Sequence, residues 1–124
     1  MLRKTFFYII AIILIIACNK EDESAQITPP VPALYAAANQ TTNTCEFYGA
    51  ILEEGSNAVL VRGFCWRTDT LPALGDSVSE NGSGPGSYNT TAYNLSPQTK
   101  YHVRAYARTE AGVYYSREET FFTR

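Results

Sequence analysis

From residue 44 to the end of the chain, apolar and polar residues alternate in short runs. The clearest run places an apolar residue at every second position: Tyr101, Val103, Ala105 and Ala107. A similar series is formed by Cys45, Phe47, Gly49 and Ile51. Because successive side chains of a strand point to opposite faces, both runs predict strands with one buried face.

Residues 58–67 (AVLVRGFCWR) are rich in β-branched and aromatic side chains and predict a central strand. Two alternating sets compete for its buried face: Leu60, Phe64 and Trp66, or Val59, Val61 and Cys65. We favour the first set because it buries the only tryptophan, although it turns Arg62 inward. A bulge at Gly63 would resolve that conflict.

Weaker patterns predict a short edge strand at 76–79, a strand at 88–95 and a final strand at 113–123, with turns at 53–57, 81–87 and 110–112. Apolar residues do not recur at helical spacing after the first eighteen positions. The chain is therefore predicted to be all-β, an antiparallel Greek-key sandwich of about seven short strands preceded by a helical signal peptide.

The first eighteen residues have a different character. Arg3 and Lys4 precede twelve uncharged apolar residues at 6–17, and Cys18 follows them directly. Twelve helical residues reach about 18 Å, whereas a membrane span needs about 20 residues. The layout is that of a signal peptide, and the open question is whether Cys18 is modified or is an ordinary buried or disulfide-bonded cysteine.

The stretch Ile15-Ile16-Ala17-Cys18 resembles the lipobox of bacterial lipoproteins. The resemblance implies cleavage before Cys18 and attachment of palmitate-type acyl chains to that residue. Two or more acyl chains hold a protein stably on a bilayer. Residues 19–23 (NKEDE) resemble the export signal of surface lipoproteins of the Bacteroidetes, or else simply begin a solvated linker. The expected location is the cell envelope, lipid-anchored at the outer membrane and exposed at the cell surface.

Residues 18–32 are polar and then proline-rich and predict a tether, with the folded domain at 33–124. Cleavage after residue 17 leaves eight basic residues (ten minus Arg3 and Lys4) against twelve acidic ones, a net charge of −4. Nucleic-acid binding needs clustered Lys and Arg, so a nucleic-acid partner is not expected. We expect a monomer that contacts the membrane through its lipid.

Residues 95–107 (LSPQTKYHVRAYA) resemble the end of a fibronectin type III domain. A variant of that domain in surface proteins of the Bacteroidetes is similar at RGFCW (62–66), GSGPGS (82–87) and VRAYA (103–107). The resemblance covers roughly residues 32–124. It implies that Leu95, ahead of Pro97, plugs the core, and that the Tyr101 hydroxyl bonds to nearby backbone in a tyrosine corner. Glu119 departs from the usual apolar residue, so the last strand is expected to be bulged or loosely paired.

Candidate chemistry is sparse. His102 is the only histidine, and no sequence motif supplies the partners that catalysis would need. The Gly-rich loop at 82–86 precedes a predicted strand, whereas a phosphate-binding loop precedes a helix. No calcium-loop spacing is present among the acids. No catalytic residue, cofactor or metal is predicted. Cys45 and Cys65 are expected to be free thiols, although an oxidising compartment leaves a disulfide open.

The polar face of the strand at 101–108 is a candidate interaction face, formed by His102, Arg104, Tyr106 and Arg108. The alternative is that long side chains merely cover the sheet. Asp69-Thr70-Leu71 and Asp76-Ser77-Val78 resemble a pattern that Bacteroidetes glycosylate on oxygen, which makes Thr70 and Ser77 candidate sites.

The predicted function is a lipid-anchored, non-catalytic binding or spacer module. The alternative is an accessory subunit of a surface glycan-binding or adhesive complex, contacting its partner through this face or the loops at 53–57 and 81–87.

Overall fold

The computed structural model describes residues 26–124, and the regular structure in that range is entirely β-strand. The strands, in chain order, are β1 (Val31–Ala38), β2 (Cys45–Glu53), β3 (Val61–Arg67), β4 (Ser77–Val78), β5 (Gly86–Ala92), β6 (Lys100–Thr109), β7 (Gly112–Tyr115) and β8 (Glu119–Phe122).

The strands form two antiparallel sheets. The first sheet has the order β1-β2-β5, and the second has the order β4-β3-β6-β7, with β8 also paired to β6. Short strands with one apolar face can bury that face only against another layer, which explains why two sheets pack face to face. The predicted all-β sandwich is therefore confirmed.

An aromatic cluster joins the two sheets at their centre. Phe47 of the first sheet lies 5.6 Å from Phe64, 5.4 Å from Trp66 and 5.5 Å from Phe121, measured between ring centroids. All three partners belong to the second sheet, and Phe47 and Phe64 are fully buried. Tilted aromatic pairs at such separations add stability beyond the apolar area that they bury.

The clearest sequence patterns are confirmed. The predicted apolar series of β6, from Tyr101 to Ala107, is buried at every member. The predicted inward series of β2 is buried as well, from Cys45 to Ile51. The short edge strand expected at 76–79 is β4. In β2 and β6 every second side chain points into the core, because each sheet of a two-layer sandwich has one buried face.

The prediction for residues 58–67 is partly wrong. Phe64 and Trp66 do pack into the core, but Leu60 is 50 % exposed and Val59 is 2 % exposed. The strand begins only at Val61, so the alternation of β3 does not extend back to these two residues. Pairing with β6 runs in register through Gly63 without the expected bulge.

The Arg62 side chain starts on the inner face of β3, but its guanidinium extends to the edge of the sandwich. No bulge is therefore needed to keep the charge out of the core. Its guanidinium donates hydrogen bonds to the carbonyls of Asn81 and Pro85, each at 2.8 Å, and lies 5.1 Å from the Tyr88 ring centroid. Each contact supplies acceptors or π-density to a partly buried cation. The glycine-rich loop at 82–86 is thus held by Arg62, and it serves as a connection between β4 and β5.

The folded domain begins earlier than residue 33. Val31 and Pro32 lie in β1 and pair with Glu53 and Ile51 of β2. The Ser56 amide already donates a 2.9 Å hydrogen bond to the Thr28 carbonyl. The proline-rich composition suggested a tether, but an edge strand tolerates proline because one side of its backbone needs no partner.

The end of the chain carries the expected bulge, but it does not form one continuous strand. The predicted strand at 113–123 is split into β7 and β8, and three residues at 116–118 stand opposite two residues of β6. The amide and the hydroxyl oxygen of Ser116 both bond to the backbone of Ala105, which anchors this bulge. The expected strand at 88–95 begins at Gly86 and ends at Ala92, before the buried Leu95.

We predict that Gly63→Ala lowers the free energy of unfolding by about 1–3 kcal/mol, because an added methyl group would overpack the site. A Cβ atom at Gly63 would lie 2.0 Å from the Ser79 carbonyl oxygen. Equilibrium urea unfolding measures the effect. Gly75→Ala is the matched control, since a Cβ atom there has no neighbour within 4 Å. Equal losses in the two variants would contradict the packing argument.

Candidate functional site

The pairing registers define two ends of the sandwich. At one end β1 begins, beside the loops at 54–60, 79–85 and 110–111; we call it the tether end, because the chain enters there. The opposite, far end carries the loops at 39–44, 68–76 and 93–99. The loops at 53–57 and 81–87, predicted as contact loops, therefore both lie at the tether end.

A groove opens at the far end, where β3 ends and β6 begins. Its volume is about 420 Å³, and it is lined by Trp66, Arg67, Thr68, Asp76, Ser77 and Tyr101. We call these six residues the far-end groove. Its size falls within the range of about 300–1,000 Å³ that is usual for small-molecule sites. Aromatic rings, a charge pair and two hydroxyl side chains occupy the same small space.

The core fixes the two aromatic side chains of the groove. Trp66 packs against Phe47 and is partly exposed. Tyr101 stacks on Phe121 with 5.4 Å between ring centroids and 11° between ring planes. The Tyr101 hydroxyl accepts a 2.8 Å hydrogen bond from the Ser96 amide. The resemblance to the tyrosine corner predicts this bond, and it clamps the loop that carries the buried Leu95 and the exposed Pro97.

A tight turn holds the charge pair of the groove. The Asp76 amide donates to the Ala73 carbonyl at 3.0 Å, and the Ala73 amide donates to Asp76 Oδ2 at 2.9 Å. Asp76 Oδ1 lies 3.3 Å from Arg67 Nη1, with 39 % of the Arg67 side chain and 21 % of the Asp76 side chain exposed. The pair places hydrogen-bond donors and acceptors side by side at the rim while adding no net charge.

The predicted interaction face is not open. The segment at 68–80 crosses the outer surface of the second sheet at 72–74 and returns along its edge as β4, and Tyr106 is only 2 % exposed, so its expected exposure is wrong. Its hydroxyl donates to the Ser79 carbonyl at 2.7 Å. Arg104 Nε donates to the Pro72 carbonyl at 2.9 Å, and its guanidinium lies 3.9 Å from the Tyr115 ring centroid. These side chains bind the crossing segment to the sheet.

The other two members of that face lie toward its ends. His102 Nδ1 lies 3.1 Å from Glu118 Oε2, and the ring is only partly exposed. Arg108 is exposed near the tether end. The four residues thus share one side of β6, as predicted from the alternation, but they do not form a continuous accessible surface.

Both cysteines of the described residues are free and fully buried. Desolvation raises the pKa of the Cys45 thiol to about 11, and desolvation likewise raises the pKa of the Cys65 thiol to about 11. Because the thiolate is the reactive form, the two residues act as small apolar side chains at neutral pH. Cys65 faces away from Trp66, as predicted, but the segment at 68–80 covers it.

The predicted modification sites are in different settings. Thr70 is exposed in the crossing segment, whereas Ser77 is an exposed member of β4 and lines the far-end groove. Cys18 lies outside the described residues. Their modification remains a prediction.

Within residues 26–124 no group of three or more His, Cys, Asp or Glu side chains is arranged to hold a metal ion. The same residues contain no helix long and apolar enough to cross a membrane.

Comparison with solved structures identifies the type of fold. The sensor domain of the anti-sigma factor RsgI4 of Pseudobacteroides cellulosolvens is 18 % identical, with a TM-score of 0.57, and the match covers 79 % of this chain and 97 % of that one. A fibronectin type III domain of human collagen XX is 21 % identical, with a TM-score of 0.53, over 80 % of this chain and 96 % of that one.

A fibronectin type III domain of human fibronectin type III domain containing protein 3 is 17 % identical, with a TM-score of 0.53, over 81 % of this chain and 91 % of that one. No family model and no curated protein matches the chain. Identities this low establish the fold alone. The described residues form a fibronectin type III-like β-sandwich.

We predict that Tyr101→Phe lowers the free energy of unfolding by about 1 kcal/mol, because the Ser96 amide loses its acceptor. Urea unfolding of the two proteins measures this difference. Tyr93→Phe serves as the control, since Tyr93 is 67 % exposed. A Tyr101→Phe variant as stable as the parent would show that the hydroxyl does not hold the loop.

Proposed function

We propose that the chain is a lipoprotein of the bacterial cell envelope, anchored to the outer membrane by acyl chains on Cys18. Its sandwich is displayed at the cell surface as a non-catalytic binding or spacer module. The observation that carries this proposal is the Ile15-Ile16-Ala17-Cys18 sequence directly after an apolar run too short to span a bilayer.

The position of Thr28, near the start of the described residues, supports the proposal. Thr28 lies ten positions after Cys18, and its carbonyl and amide both bond to Ser56. Ten residues reach about 33 Å when fully extended. The tether would therefore hold the tether end toward the bilayer and direct the far end away from it.

The non-catalytic part of the proposal is supported by the surroundings of the titratable groups. The described residues bring His102 into contact with Glu118 on the outer side of the second sheet, whereas both buried thiols donate to backbone carbonyls. A general base needs a nucleophile within hydrogen-bonding distance, and none is paired with His102 in residues 26–124. The solved structures of similar fold include fibronectin type III domains.

The alternative function is an accessory subunit of a glycan-binding or adhesive complex at the cell surface. The far-end groove favours this candidate, because it combines partly exposed aromatic and polar side chains at the end remote from the anchor. A pure spacer needs no such groove.

We predict that Cys18→Ser moves the protein from the membrane fraction to the soluble fraction, since the variant has no acceptor for acyl chains. Cell fractionation followed by immunodetection measures the distribution. Cys45→Ser is the matched control: its thiol is buried inside the sandwich, so folded protein should remain with the membrane. Unchanged fractionation of Cys18→Ser would contradict lipid anchoring.

A further inference from the structure

We infer that the far-end groove is a binding site for a neutral oligosaccharide. The inference rests on the proposed role as a binding module, and it does not depend on the lipid anchor. It specifies a ligand class and places the contact at Trp66, Arg67 and Asp76, at the opposite end from the loops first predicted to bind a partner.

The aromatic side chains supply the first part of the argument. A pyranose ring presents a face of C–H groups that packs against an aromatic surface, while its hydroxyl groups point outward around the ring. Trp66 lines the groove and is partly exposed, and tryptophan provides the largest such surface of any side chain, whereas Tyr101 lines the groove but is only 7 % exposed. An aromatic residue at the edge of the core, left partly exposed, is suited to this contact.

The charge pair supplies the second part. In residues 26–124 the Arg67 guanidinium makes one ion-pair contact, through Nη1 to Asp76, so it retains N–H donors for a ligand. The Asp76 carboxylate has one partner on each oxygen and retains lone pairs. Adjacent vicinal hydroxyl groups both donate and accept, which matches this arrangement. The hydroxyls of Thr68 and Ser77 extend the same polar rim.

The paired charges of Arg67 and Asp76 favour a neutral ligand over a charged one. An anionic ligand would meet the Asp76 carboxylate, and a cationic ligand would meet the Arg67 guanidinium, so each would disrupt the existing pair. A neutral polyhydroxylated ligand can bond to both groups without breaking it. The groove therefore selects against charged ligands through desolvation and like-charge repulsion.

The groove is also rigid. Phe47 fixes Trp66, the turn at 73–76 fixes Asp76, and Ser77 pairs with Trp66 through the backbone. A site whose side chains are already held loses little conformational entropy when a ligand binds. Such preorganisation matters for a sugar, whose hydroxyl groups must give up water for each new hydrogen bond.

The chain contains a single tryptophan, so its fluorescence reports directly on the groove. We would titrate the full chain in detergent micelles with neutral hexasaccharides of glucose, xylose, mannose and N-acetylglucosamine, and separately with polygalacturonate. We expect a saturable change in tryptophan emission with at least one neutral series and none with the polyanion.

Arg67→Ala and Asp76→Asn are each expected to weaken that binding at least tenfold, because the first removes the guanidinium donors and the second replaces one carboxylate acceptor with an amide donor and removes the charge. Tyr93→Ala is the matched control, an exposed aromatic residue outside the groove, and should leave the affinity unchanged. Urea unfolding of every variant verifies that the fold is retained. Glu118→Gln, on the outer side of the second sheet, provides a second control.

Three results would overturn the inference: no emission change with any neutral hexasaccharide at millimolar concentration, binding of the polyanion alone, or binding that Arg67→Ala and Asp76→Asn leave unchanged. Any of these would leave the membrane fractionation of the parent chain and of Cys18→Ser unaffected. The lipid-anchored module would then stand without a saccharide site in this groove.

Discussion

The sandwich depends on one inter-sheet contact, the packing of Phe47 between aromatic rings of the opposite sheet. Phe64, Trp66 and Phe121 all lie within 5.6 Å of Phe47, measured between ring centroids. A domain of this size has a modest core, so a few large side chains dominate its apolar burial. The same contact also positions Trp66 at the edge of the core, where its ring lines the far-end groove.

Much of the fold could be predicted where a strand has one buried and one exposed face. The alternation in β2 and β6 identified the buried residues, because in these strands the sequence period and the core direction agree. The bond between Tyr101 and the Ser96 amide could be anticipated only from the resemblance to a known domain. Alternation places Tyr101 on the inner face but does not identify a partner for its hydroxyl.

The errors have a common physical origin in contacts made by segments without regular structure. The exposure of Leu60 follows because β3 begins at Val61, three residues later than predicted. The burial of Tyr106 follows from its contacts with the segment at 68–80, most of which has no regular structure. The far-end groove was missed for the same reason. Its residues come from β3, β4, β6 and the loop at 68–76 between β3 and β4, and the turn in that loop brings Asp76 next to Arg67. An Asp in a loop and a Trp in a strand carry no signal of proximity in a single sequence.

The proposed function depends on the orientation of this sandwich: acyl chains at Cys18, a short tether, and a far end directed away from the bilayer. Intact mass spectrometry of the mature protein extracted from membranes tests the first of these most directly. The account predicts a chain that begins at Cys18 and carries the added mass of acyl groups on that residue. A chain that retains residues 1–17, or one that begins with an unmodified cysteine, would contradict it.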